Sequence, residues 1–244
     1  MSQSVIIKNL AKTFGSKKVL HDINLEILAG ESVAIIGTSG CGKSVLLKCI
    51  SGLLIPNKGS SIVIDTQEFG NHHISKRTGF CDKLGLLFQG NALFDSMTIG
   101  ENIVFGLKQK QELSDQKMRK IASEKLNAVD LKDNIIDLYP NQISGGMQKR
   151  VGLARAIAIE PDIILLDEPT SGLDPVTASV IIKLIAKLHK QMNVTVIMVS
   201  HDLHCVKTAA QKVAVIEQGT ISWSGPVDQM AKSSSEFAKE FVMD

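Results

Sequence analysis

The stretch SVAIIGTSGCGKSVLLKCI, Ser32 to Ile50, restricts the fold more than any other part of the chain. A short branched apolar run leads into Gly-x-x-x-x-Gly-Lys-Ser, and an apolar run at helical spacing follows. The order strand, glycine-rich turn, helix points successive backbone N–H groups and the positive end of a helix into one concavity suited to phosphate oxygens. In such a loop Lys43 reaches the β and γ phosphates, and the Ser44 hydroxyl takes one Mg2+ position. A glycine-rich turn arising by chance is the alternative, and it leaves the flanking strand and helix unexplained.

The same periodicity continues downstream. Leu84–Phe88, Asp162–Asp167, Val194–Ser200 and Lys212–Glu217 are short, nearly continuous apolar runs like Ser32–Ile36, as expected of strands buried on both faces of a mainly parallel sheet. Between them DPVTASVIIKLIAKLHKQ reads as a helix capped by Asp174 with Pro175 at its first position, burying Ile181, Ile182, Leu184, Ile185 and Leu188. The strand signal vanishes from Asp95 to Tyr139, where SDQKMRKIASEKLNAVDL is amphipathic. This predicts a helical subdomain, roughly residues 90–155, inserted in an α/β core. The first 30 residues and SSIVIDTQ alternate as antiparallel strands do, which predicts a second, antiparallel β subdomain.

Composition narrows the function. Lys and Arg number 27 against 25 Asp and Glu, so the formal charge of +2 argues against nucleic acid or an anionic lipid surface as a direct partner. No apolar run approaches the roughly 18 residues a spanning helix needs, so membrane contact is expected to go through another protein. Cys41, Cys49, Cys81 and Cys205 lack metal-ligand spacing and read as reduced thiols of a cytosolic chain; His72 and His73 lie in a polar stretch and carry no metal expectation.

Two further motifs carry chemistry. In DIILLDEP an apolar strand ends in two carboxylates, which places Asp167 near Mg2+ and lets Glu168 polarise an attacking water as general base, although capping or ion pairing also puts acids at strand ends. ISGGMQKR sets Ser144, Gly145 and Gly146 at the start of a helix, a second anion-binding end suited to a γ phosphate. One nucleotide already lies at Lys43. The second helix end makes most sense if it closes on the ATP of another protomer, giving two composite sites in a head-to-tail dimer; taken alone, Ser144 is an ordinary helix cap.

GTSGCGKS, Gln89 in LLFQ, ISGGM, ILLDEP, SGLD and MVSHD occur in the order found in ATP-binding subunits of ABC transporters, which the chain resembles over practically its whole length. The resemblance implies the ATPase fold of that family, ATP and Mg2+ as ligands, and nucleotide contacts from Gly37, Thr38, Ser39, Gly40, Cys41, Gly42, Lys43, Ser44 and Val45. It implies that Phe14 stacks on adenine, where the family more often has tyrosine; a phenylalanine on an amphipathic strand is otherwise core. Gln89 is expected to sense Mg2+ and the attacking water, with Ser44 and Asp167 as the other metal positions, and to link the site to the helical subdomain. His201 is expected to hydrogen-bond the γ phosphate and orient Glu168, and Asp174 to contact the opposite protomer while also capping its own helix.

Ile143 and Met147 depart from the usual LSGGQ signature. Met147 together with LFQGNALFDSMTIGENI resembles the ATPase of MCE-associated, Mla-type phospholipid transporters, with Gly90-Asn91 where Ser-Gly is expected. The resemblance therefore implies a homodimeric motor on the cytoplasmic face of the inner membrane, held there by an integral membrane permease, with an MCE-type lipid-binding subunit and phospholipid as cargo. Alternatives are the ATPase of an amino-acid importer or a lipoprotein-release system, and, from another class, a nucleic-acid- or ribosome-acting ATPase or a small-molecule kinase. Phe237 and Phe241, one helical turn apart, suit either a dimer contact or a terminal helix docked on its own core.

Overall fold

The computed structural model describes residues 2–69, 83–90 and 92–243. Its centre is a six-stranded sheet in the order β10-β9-β3-β8-β7-β6: Thr220–Pro226, Lys212–Glu217, Ser32–Gly37, Thr195–Val199, Ile163–Asp167 and Leu84–Leu87. All neighbours pair in parallel except the edge strand β10, which is antiparallel to β9. Four of the five expected strands differ from the sequence reading by one residue at an end or at both.

The strands β3, β7 and β8 are apolar and buried almost throughout because each faces two cores. Val33 and Ile35 of β3, Ile163 and Leu165 of β7, and Ile197 and Val199 of β8 enter one cluster, with helix α1 (Lys43–Ile50). The alternate residues Ala34 and Ile36, Ile164 and Leu166, and Val196 and Met198 enter the other. Every side chain of these strands therefore adds burial, at about 1.5–3 kcal/mol for each large aliphatic group.

A second sheet, antiparallel and ordered β2-β1-β4-β5 (Lys17–Ile27, Val5–Phe14, Ser61–Ile64, Gln67–Glu68), covers the first cluster. The second cluster is covered by α2 (Ile99–Lys108), α3 (Asp115–Ala128), α4 (Gly145–Ala158) and α5 (Pro175–Met192). In α5, Asp174 accepts from the N–H groups of Val176 and Thr177, Pro175 opens the helix, and the five expected residues are buried. The helix α6 (Leu203–Ala209) and β10 escaped the sequence reading, since α6 has only seven residues and β10 leaves half its residues exposed on a sheet edge. The terminal helix α7 (Glu236–Met243) packs Phe237 and Phe241, ring centroids 5.8 Å apart, on the second cluster, which favours docking on its own core. Cys81, His72 and His73 lie outside the described residues.

The approach to α2 is fastened by one amide. Asn102 is wholly buried; its Oδ1 accepts from Phe94 N at 2.8 Å, and its Nδ2 reaches the carbonyls of Phe94, Met97 and Thr98 at 3.0–3.1 Å. Thr98 and Glu101 form a reciprocal capping box at the same helix start. Asn102→Ala strands those backbone groups without partners, so it is expected to destabilise the protein by about 2–3 kcal/mol, read as a lowered urea midpoint with an unchanged slope.

Candidate functional site

The parallel pairing brings the C-terminal ends of β3, β8, β7 and β6 to one edge, the edge at which open α/β sheets bind ligands. Four of the sequence motifs emerge there side by side. Gly37 through Val45 follow β3, His201 follows β8, Asp167 and Glu168 end β7, and Gln89 follows β6.

The loop after β3 depends on glycine. Gly37 has φ of +151°, and a Cβ there would lie 2.2 Å from the Ile216 carbonyl oxygen; at Gly42, φ of +106° strains any side chain, and a Cβ would crowd Leu20 Cδ2 at 2.6 Å. Gly40 has φ of +78° with nothing within 4 Å of a Cβ position, so its conformation is demanded by the turn and its exposed face is open. Lys43 is buried and donates to the carbonyls of Gly37 at 2.8 Å and Thr38 at 2.9 Å, which holds its ammonium inside the loop. Ser44 Oγ donates to Asp167 Oδ1 at 2.8 Å. A hydroxyl and a carboxylate so close beside a loop of N–H donors fit a shared hard cation and a polyphosphate, which is the test the ATP and Mg2+ expectation had to meet.

Glu168 is held in an unusual way. Among the described residues it is the only buried non-glycine with positive φ, at +51°; the eight others are exposed. Such a conformation costs about 1–2 kcal/mol and persists only when its surroundings enforce it. Its N–H donates to Val199 O at 3.0 Å, and its carbonyl accepts from Ser171 N at 3.2 Å and Ser171 Oγ at 3.0 Å. The carboxylate lies 2.6 Å from His201 Nδ1, an ion-pair distance without the alignment of a hydrogen bond. The imidazole is 67% exposed, so Glu168 is anchored by backbone on the inside and met by an exposed partner on the outside.

The second glycine-rich end stands apart. Ser144 caps α4 by accepting from Met147 N, and the Asp174 carboxyl is held below its usual range by Thr177 and the first N–H groups of α5. Their hydrogen bonds stay within their own helix ends. The two glycines differ in kind: a Cβ on Gly146 would lie 2.4 Å from Thr177 Cγ2, so packing on α5 explains it, whereas Gly145 is exposed with nothing within 4 Å. Among the described residues no contact accounts for the bare backbone at Gly145. Phe14 is 45% exposed at the end of β1 with the Lys12 ammonium 5.1 Å above its ring, so it is not a core residue.

One residue of this region was missed. Lys149 of α4 is 3% exposed and donates to the carbonyl of Gln89 at 2.6 Å and, at 3.5 Å, to that of Glu168. Burial pulls its ammonium below the usual lysine range, against the opposing pull of Asp167 and then Glu168. A signal existed in the sequence: Gly146, Lys149 and Leu153 share one buried helix face, and a lysine at apolar spacing needs a partner.

Comparison with known proteins agrees with this geometry. Residues 20–171 match the ABC transporter family. The sulfate/thiosulfate import ATP-binding protein CysA of Pseudomonas aeruginosa is 38% identical over 245 residues, covering 99% of this chain and 72% of that protein. The methionine import ATP-binding protein MetN of Lactobacillus johnsonii is 38% identical over 247 residues, covering 99% and 70%. The dimeric post-hydrolysis structure of the ATP-binding cassette MJ0796 bound to ADP and Pi superposes with a TM-score of 0.83 at 33% identity, covering 91% of this chain and 98% of that one. The chain belongs to the ABC transporter family, as an ATP-binding subunit with the fold and the ATPase activity of that family's motors.

Proposed function

We propose that the protein dimerises around two ATP molecules and powers a membrane permease of the import type. The observation that carries the reading is the pairing of two incomplete surfaces: a strand edge bearing Lys43, Ser44, Asp167, Glu168 and His201, and a separate helix end whose exposed Gly145 meets nothing among the described residues. Facing each other across two protomers, they complete a phosphate site. Gly37, Thr38, Ser39, Gly40, Cys41, Gly42 and Val45 line the phosphates with backbone, and Phe14 offers its open ring to adenine. Ser44, Gln89 and Asp167 would hold Mg2+, which would neutralise charge on the phosphoryl oxygens. Lys43 and the partner's helix end at Ser144 and Gly146 stabilise the charge that develops on transfer, Glu168 takes the proton of the attacking water, and His201 steadies Glu168. Asp174 meets the opposite protomer and keeps its cap.

Closing the dimer is the work step, because ATP binds the closed state better than ADP does. Among the described residues no helix is long and apolar enough to cross a membrane, so the permease is a separate chain or segment. A largely apolar groove of about 450 Å3, lined by Leu86, Phe88, Phe94, Phe105 and Ile159 with Lys110 and Arg155, suits a helix of that permease at the cytoplasmic membrane face.

For cargo, the named relatives import sulfate or thiosulfate and methionine, which supports a small-solute importer, the amino-acid alternative included, over the phospholipid reading. Met147 in the signature and the segment from Leu87 to Ile103 are what still favour phospholipid and an MCE-type partner.

Glu168→Gln is expected to bind ATP normally, lose turnover by at least about 100-fold, and form a dimer in ATP and Mg2+ by light scattering. A variant that stays monomeric at high concentration and hydrolyses normally contradicts the composite site. Affinity purification from gently solubilised membranes, with mass spectrometry, separates the cargo readings. A permease with a solute-binding protein supports import, whereas a permease with an MCE-domain protein and bound phospholipid replaces it with lipid transport. Recovery with ribosomes or DNA alone contradicts both.

A further inference from the structure

Lys149 is connected to more of the site than its place on α4 suggests. Its ammonium clips together two backbone carbonyls, Gln89 O at 2.6 Å and Glu168 O at 3.5 Å, that emerge from the ends of the adjacent strands β6 and β7. Nearly two helical turns further along, Arg155 donates to Ala92 O at 2.6 Å, so two cations of one helix hold the segment that carries Gln89. The other end of the same helix is Ser144. Five residues separate Ser144 from Lys149, about 7 Å along a rigid helix, so a displacement of the helix end is carried to the ammonium with little loss.

The receiving residue is held in a strained conformation by a few backbone ties. Glu168 sits in the left-handed region at φ +51°, held there by Val199, Ser171 and Lys149 through its backbone, and any shift in these ties re-aims the carboxylate. Burying an ammonium at this spot is expensive in solvation, and the pull of Asp167 and Glu168 on the charge partly offsets it. An apolar side chain would fill the same space without that cost, so packing alone does not explain a lysine here.

We propose that Lys149 is a positioning residue: contact of one protomer's Ser144 with ATP on its partner is passed through Lys149 to that same protomer's own Gln89 and Glu168. The proposal rests on the composite-site reading above and adds to it the route by which each site learns that the other is occupied. Under this scheme Lys149 never touches nucleotide; it sets where the general base and the Mg2+-sensing glutamine stand.

The test is steady-state ATP hydrolysis by the full chain carrying Lys149→Met or Lys149→Arg, with circular dichroism melting and titration with a fluorescent ATP analogue as controls for folding and binding. Lys149→Met is expected to lower kcat by about tenfold or more with KM within about threefold, and to bring the Hill coefficient for ATP down to about 1. Lys149→Arg, which keeps charge and donors, is expected to recover most of both. Lys149→Gln replaces the methionine variant if that one fails to fold, with the same readings. A folded variant with kcat within about twofold of the parent and an unchanged Hill coefficient overturns the role of Lys149. If the Glu168→Gln protein forms its ATP-dependent dimer, such a result removes the lysine alone; if no dimer forms, the composite site fails and takes this proposal with it.

Discussion

The site hangs on the parallel pairing of β3 with β8, β8 with β7, and β7 with β6. A parallel ladder places consecutive strand C-termini at one edge, so loops far apart in sequence meet without any long-range contact of their own. Ser44 and Asp167 are 123 residues apart and 2.8 Å from a hydroxyl to a carboxylate oxygen. That closeness survives because the strands beneath are buried on both faces, and tilting either one would open both apolar clusters at once. The stability of the two cores and the precision of the phosphate site are the same physical fact seen from two ends.

Much of this was written in short-range signals. A strand, a glycine-rich turn and a helix in direct succession define the loop at Gly37–Ser44 because backbone conformation there has one solution, and the structure shows Gly37 with no room for a side chain and Gly42 at a φ that strains one. The Asp174–Pro175 helix start is equally local, a cap and a ring that fit the first turn. Other features were out of reach. The left-handed backbone of Glu168 is enforced by Val199 and Ser171, and no pattern around residue 168 announces it. Lys149 stands at the apolar spacing of Gly146 and Leu153, but that its ammonium meets the carbonyls of Gln89 and Glu168 emerges only once the helix is docked. The edge strand β10 has half its residues exposed, so burial left only a weak imprint on its sequence.

The helix α4 ties these scales together. Its first turn offers N–H groups and an uncovered Gly145 to the outside, its Gly146 lies against Thr177 at the start of α5, and its Lys149 and Arg155 hold the segment after β6. A rigid rod with one end exposed and its middle fixed to the catalytic edge converts an encounter at the surface into a shift at the centre. Cargo leaves no comparable mark: the motor chemistry is shared by proteins that import unlike solutes, so the identity of the load belongs to the partner chains.

A crystal structure of the Glu168→Gln protein grown with ATP and Mg2+ tests the central claim most directly. The account predicts two nucleotides between two protomers, each γ phosphate within hydrogen-bond distance of Lys43 of one chain and of Ser144 and Gly146 of the other. A monomer, or a dimer joined on another face with Ser144 facing solvent, contradicts it.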